Sequence, residues 1–311
     1  MLTKKELKRF INDVKVPIQP IPDQDYLDHV FSLLPELKPK YDIYCEEVAN
    51  TLDFLEMWDK WKAKIIEDLK DRQTYKDFIA YDMSRWAPVN LPKGGFPAKD
   101  VFERGNEGKC FLSIDLRKAN FQALKKAGIH TEETWEEFIG KYTDSVHMKT
   151  SKQFRSIIYG NLNISRTQAV ERYLINEVRR TLGSLNILPE NYVLWSMMPD
   201  ELIYEIKDGE PDLEYLHDID SFIKGVTDVS VKIQQFRLIR RVITPSGGGK
   251  DIEFFEKEDL YDYSRTIHCL GTPYYLIGIS LLKGLTPDYW DYVFLNQEGF
   301  RCKIEEKFTI N

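Results

Sequence analysis

Apolar positions recur at helical spacing through the first third of the chain. Over residues 41–86, Leu52, Leu55, Trp58, Ile65 and Leu69 follow a period near 3.6, and no Gly or Pro interrupts them. Ahead of them, LTKKELKRFINDV begins with Thr3, a capping residue, before a turn rich in Lys and Glu. The pattern predicts a mostly helical region over residues 1–95, closed by APVNLPKGGFP at 87–97. Three Pro and two Gly in that segment mark a loop or linker.

The pattern then changes. Residues 109–116, KCFLSIDL, form a short apolar run of strand length, and residues 119–128 follow as a helix ended by Gly128. TEETWEEFIGKY at 131–142 opens like a capped helix, and 151–160 and 165–182 are also helical. YVLWSMMPDELIYEI at 192–206 predicts strand, turn, strand. Residues 229–244 are rich in β-formers. Alternation there places Lys232, Gln234 and Phe236 on one face and Arg237, Ile239 and Arg241 on the other. PSGGGK after them predicts a turn, because it lacks the GK[ST] ending of a phosphate loop. The expected class is α+β: an antiparallel sheet with helices on one face, after a helical N-terminal region. The expected divisions are 1–95, 96–250 and an α/β extension over 251–311.

Composition excludes several classes. With 42% hydrophobic and 30% charged residues in 311, the chain is neither disordered nor fibrous. No stretch of 18 apolar residues predicts a membrane span, and no secretory leader is readable. Cys45, Cys110, Cys269 and Cys302 form no CxxC pair, which suits a reducing, cytoplasmic setting. Net charge is −7, yet 149–180 holds seven Lys/Arg against two Glu, and 232–250 holds five against none. Two basic islands on an acidic body can steer a polyanion.

Candidate chemistry lies near those islands. Asp115 ends the apolar run FLSID, and Asp200 and Glu201 sit between VLWSMM and LIYEI. A carboxylate at a strand end beside a core costs desolvation unless compensated, and Mg²⁺ is one compensation that suits Asp oxygens. Between these acids, SKQFRSIIYG places Lys152, Arg155, Ser156 and Tyr159 at i, i+3, i+4 and i+7, on one helix face ending at Gly160. Two cations and a ring on one face can hold a triphosphate and a base.

Read together, the three segments resemble motifs A, B and C of a template-directed polymerase palm, over about 90 residues. SIDLRKANFQAL is similar to motif A, which implies that Asp115 binds metal. KQFRSIIYG has the family-B spacing of a Lys seven residues before Tyr-Gly. That implies a triphosphate role for Lys152 and contact of Tyr159 and Gly160 with the nascent pair. PDELIYEI resembles the family-A motif C, which implies metal binding by Asp200 with Glu201 beside it. Asn120, five residues after Asp115, falls at the sugar-selecting position of many polymerases, with Phe121 next to it.

The resemblance implies a palm-like sheet and a nucleotidyltransferase that adds nucleotides to a 3′-hydroxyl with two Mg²⁺ ions held by Asp115 and Asp200. Its partners would be nucleic acid, nucleoside triphosphates and replication proteins, with no membrane. Arg237, Arg240 and Arg241 would meet backbone phosphate. A lone compact chain of this kind points to a virus or other mobile element, acting in the host cytoplasm. The competing expectation is a palm-like protein without turnover that binds nucleic acid, nucleotide or a replication partner. Pro199 in place of the usual His, and a gap of about 40 residues between motifs B and C, carry that alternative.

Overall fold

The computed structural model describes residues 2–87, 97–207 and 216–310. The Pro/Gly segment expected as a linker lies, over 88–96, outside the described residues.

Five helices build the N-terminal region: α1 (Lys4–Val14), α2 (Gln24–Leu33), α3 (Leu37–Asn50), α4 (Phe54–Asp71) and α5 (Gln73–Ala80). The capping signal at Thr3 is realised in full. Its hydroxyl accepts from the Glu6 amide, and the Glu6 carboxylate accepts from the Thr3 amide. The long apolar run over 41–86 is broken twice, and Asp53 takes a left-handed backbone ahead of α4.

From residue 110 the chain alternates strands and helices. β1 (Cys110–Leu116) leads into α6 (Ala119–Lys126), α7 (Trp135–Gly140), α8 (Val146–Thr150), α9 (Lys152–Gly160) and α10 (Ile164–Ser184). The hairpin β2 (Tyr192–Met197) and β3 (Glu201–Ile206) follows, then α11 (Leu216–Thr227) and β4 (Val231–Pro245). The order across the sheet is β2-β3-β1-β4, with every neighbour antiparallel. Strand, helices, two strands, helix, strand in that order is the split β-α-β-β-α-β arrangement. The expected α+β class, with a helical N-terminus and an antiparallel sheet, is what the chain adopts.

The sheet continues past residue 250. β5 (Ile252–Asp259) and β6 (Arg265–His268) extend it outward from β4. After α12 (Tyr275–Leu282) and the short pair β7 (Val293–Leu295) and β8 (Arg301–Lys303), β9 (Phe308–Ile310) returns to pair with the end of β4. The expected division at 250 thus falls in the turn between two paired strands.

The two faces of the sheet differ. Leu112, Ile114 and Leu116 of β1, with Leu202, Tyr204 and Val231, join the main core with the helices. The opposite face carries a small apolar cluster of Val101, Phe111, Ile203, Phe236 and Leu238. On the same face Phe102 covers Phe255 of β5, and toward the end of β1 the face carries Ser113, Asp115, Gln234 and Lys232. The N-terminal helices buttress α9: Trp58 meets Phe154 edge-on at 4.5 Å, and Asp13 of α1 accepts from the Ser151 hydroxyl at 2.7 Å and the Gln153 amide at 3.0 Å. No described helix is long and apolar enough to cross a membrane.

Candidate active site

Strand pairing brings the acids of the two separate motifs together. Asp115, next to last in β1, lies opposite Glu201 on one side and Lys232 on the other. Asp200 occupies the β2–β3 turn, closed by the Met198 amide donating to the Glu201 carbonyl at 2.8 Å. Its own carbonyl accepts from the Leu116 amide at 2.8 Å, which ties the turn to the end of β1. The period of two turns Phe111, Ser113 and Asp115 to the open face together. Ser113 donates to the Glu201 carboxylate at 2.5 Å and so fixes that side chain along the strands.

Burial and the neighbouring carboxylates of Glu201 and Asp200 push the Asp115 carboxyl up to about 6, against the pull of Lys152 and Lys232. Lys152, the first residue of α9, therefore lies within electrostatic reach of Asp115. The acid strand, the acid turn and the cationic helix of the three sequence segments converge on one place. Lys257 of β5 belongs to the same neighbourhood: burial lowers its pKa, while Glu201, Asp259 and Asp115 oppose the change.

A fourth carboxylate lies near Asp200. Glu171 of α10 is buried and accepts from the Asn120 amide at 2.6 Å. Burial and the charge of Asp200 push it up to about 7. A sequence signal existed, since Glu171 sits within the apolar stripe Val170, Leu174, Ile175 and Val178 of α10, where a charge needs a reason. Asn120 therefore belongs to the cluster. Phe121 does not: it is buried on the other side of α6, stacked on the His130 ring at 4.8 Å.

The remaining motif-B positions separate along α9. Lys152 is exposed, whereas Tyr159 is buried, with its hydroxyl 3.0 Å from His130 Nε2 and its ring against Trp135. Gly160 is exposed at the helix end. Arg155 lies 6.0 Å from the centre of the Trp135 ring, half-buried, and burial lowers its pKa.

The second basic island is paired with acids of β5. Arg240 donates to Glu253 at 3.1 Å, Arg241 donates to Glu256 at 2.7 Å, and Arg237 is 3.9 Å from Glu258. Arg237 and Arg241 point to one face of β4 and Arg240 to the other, as alternation requires.

A different group satisfies the spacing of three metal-ligating side chains. His29, Asp288 and Asp291 each place one ligand atom within 4.8 Å of the others, and among the described residues this is the one such trio. Asp115, Asp200 and Glu201 are more widely spread than that. His29 Nε2 is 2.8 Å from Asp291 and its Nδ1 3.3 Å from Asp288.

Comparison with family models, with curated proteins and with solved structures gave no match.

Proposed function

We propose that the chain is a polymerase-like nucleotidyltransferase whose active site is the open end of the sheet at Asp115 and Asp200. The observation that carries this reading is the placing of Asp115 opposite Glu201 with Asp200 in the adjoining turn, three acids from two segments, within electrostatic reach of the exposed cation Lys152, while buried Glu171 lies behind Asp200 on the helix side. A carboxyl raised to about 6 by burial first and by two neighbouring carboxylates second would gain from a cation placed beside it. Hard oxygen donors of this kind suit Mg²⁺. Asp115 and Asp200 would hold it, with Glu171 and Glu201 adding negative charge behind them. Bound there, divalent ions activate a 3′-hydroxyl and neutralise a triphosphate.

The chain's own residues then have distinct tasks. Ser113 keeps Glu201 aligned along the strands. Glu171 holds the Asn120 amide at the edge of the site, where a sugar would pass. Lys152 supplies fixed positive charge for the phosphates, and Asp13 holds its helix end in place. Recognition of the nascent base pair is not assigned to Tyr159, because that ring is buried.

A second reading, a palm-like binding protein without turnover, is favoured by two observations. The arginines of β4 already face glutamates, and Glu201 is already hydrogen-bonded. The test is incorporation of a labelled nucleotide onto a primer with Mg²⁺. The proposal expects incorporation that Asp115→Asn and Asp200→Asn each abolish while both variants keep the wild-type circular dichroism. No incorporation by the wild type, with primer or nucleotide binding intact in both variants, selects the second reading.

A further inference from the structure

A groove of about 530 Å³, lined by none of the four carboxylates, is bounded by α6, the start of α7, and the turn from α11 into β4. Its volume falls within the roughly 300–1,000 Å³ of small-molecule sites. Phe121, Trp135, Leu174 and Val229 form its apolar floor, each almost wholly covered by the surrounding side chains. Five cations line it, Arg117, Lys118, Lys125, Lys126 and Lys224, against only two acids, Glu133 and Asp228. That balance is opposite in sign to the chain's net −7.

The cations are not equivalent. Lys118 is paired with Glu136, and Lys125 with Glu133. Arg117, Lys126 and Lys224 have no carboxylate partner among the described residues. Arg117 is nevertheless fixed, since its Nε donates to the Val231 carbonyl at 2.7 Å, which leaves the two terminal nitrogens of the guanidinium for another acceptor. Gln122 braces the same wall by bonding the Arg117 carbonyl and both the amide and the carbonyl of Ser230. On either side of the groove, Lys118 and Asp228 hold left-handed backbones, with φ of 52° and 57°. Non-glycine residues adopt that region at a cost, which the surrounding bonds must hold.

We propose that this groove binds a nucleoside phosphate, its phosphate held by Arg117, Lys126 and Lys224 and its planar base lying over the apolar floor. A fixed guanidinium suits an anionic oxygen pair, and two mobile ammonium groups suit the remaining charge. The assignment does not rest on the function proposed for the carboxylates, because none of them lines the groove.

The test uses the full chain in EDTA, so that binding through a divalent ion at the carboxylates is silent. Adenosine monophosphate and diphosphate are titrated by calorimetry, beside inorganic phosphate. The expected result is binding that weakens with salt, by screening of exposed charges. It should be unchanged in Asp115→Asn and retained in the Lys126→Arg/Lys224→Arg pair. In the Lys126→Glu/Lys224→Glu pair, whose positions are both exposed, it should fall about tenfold or more while thermal unfolding stays at the wild-type temperature. Absence of nucleotide binding in EDTA would overturn the proposal. So would equal loss in Asp115→Asn, no loss on charge reversal, or inorganic phosphate binding as tightly as the nucleotide.

Discussion

Two places in this molecule gather carboxylates, and they resolve the resulting repulsion in opposite ways. Between α2 and the C-terminal segment, Asp288 and Asp291 close around one imidazole, with His29 2.8 Å from the buried Asp291. Asp291 also accepts from the Ser280 hydroxyl and the Asp288 amide, so both of its oxygens are bonded. At the end of β1, Asp115 faces Glu201 and Asp200, and burial together with those acids raises it to about 6. Lys152 and Lys232 are exposed, and the charge of Lys257 of β5 is opposed by burial, so the acids are not fully offset. The first place carries its own cation, which when protonated offsets one of the two carboxylate charges, and ties distant parts of the chain together. The second keeps an unmet demand for positive charge at an open face. A structural cluster supplies its own counter-charge; a binding cluster leaves it to a ligand.

The sharpest way to break the contrast is through activity. Replacing Asp115 or Asp200 by Asn should lower nucleotide incorporation by about a hundredfold or more, measured on a labelled primer. His29→Asn should leave the rate per folded molecule unchanged. Equal losses from both clusters would erase the distinction.

Stability should respond in the opposite sense. His29→Asn removes the cation from a buried carboxylate and should cost about 2–3 kcal/mol, read from urea unfolding at pH 6. Burial opposes the charged His29 ring, but the hydrogen bond and charge of Asp291 and the charge of Asp288 outweigh it and raise the pKa. The contribution of that ring is therefore complete below its ordinary 6.5 and is lost as pH rises through the higher folded value. The cost of His29→Asn should shrink in step.

Asp115→Asn should instead stabilise the metal-free protein by about 1 kcal/mol at pH 8, the raised pKa being discounted because the group is partly exposed to solvent. The folded carboxyl keeps its proton up to about 6, against an ordinary 3.8. Its ionised form therefore destabilises the fold above that range, and the gain from Asn should vanish near pH 4. Glu171→Gln, at a group raised to about 7, should behave alike over a window shifted upward. Unfolding curves from pH 4 to 8 measure both. The smallest effect expected is from Ser113→Ala, about 0.5–1.5 kcal/mol for one hydrogen bond to Glu201, with activity reduced but not abolished.

Much of this arrangement was legible in the chain. The apolar run into Asp115, the acid pair between two apolar runs, and the alternation of Lys232, Gln234 and Phe236 all describe local structure, and the strands follow them. What failed to read was what covers each surface. Helical spacing puts Lys152 and Tyr159 on one face of α9, yet the far end of that face lies under Trp135 and His130 while the near end is open. Periodicity reports which residues share a face, not which neighbour packs on it. The arginines of β4 were likewise placed on the correct faces, but their glutamate partners come from β5, across a turn. By charge count alone Glu171 is one acid in a basic helix. Its position in the apolar stripe was the clue.

The acids at the end of β1 are proposed to hold a divalent cation. Electron paramagnetic resonance of Mn²⁺ titrated into the full chain reads this without requiring turnover. The account predicts that the free-ion signal is quenched by wild type and by His29→Asn, and that Asp115→Asn/Asp200→Asn restores it. Quenching that survives in the doubly substituted protein, or that disappears with His29→Asn, would contradict it.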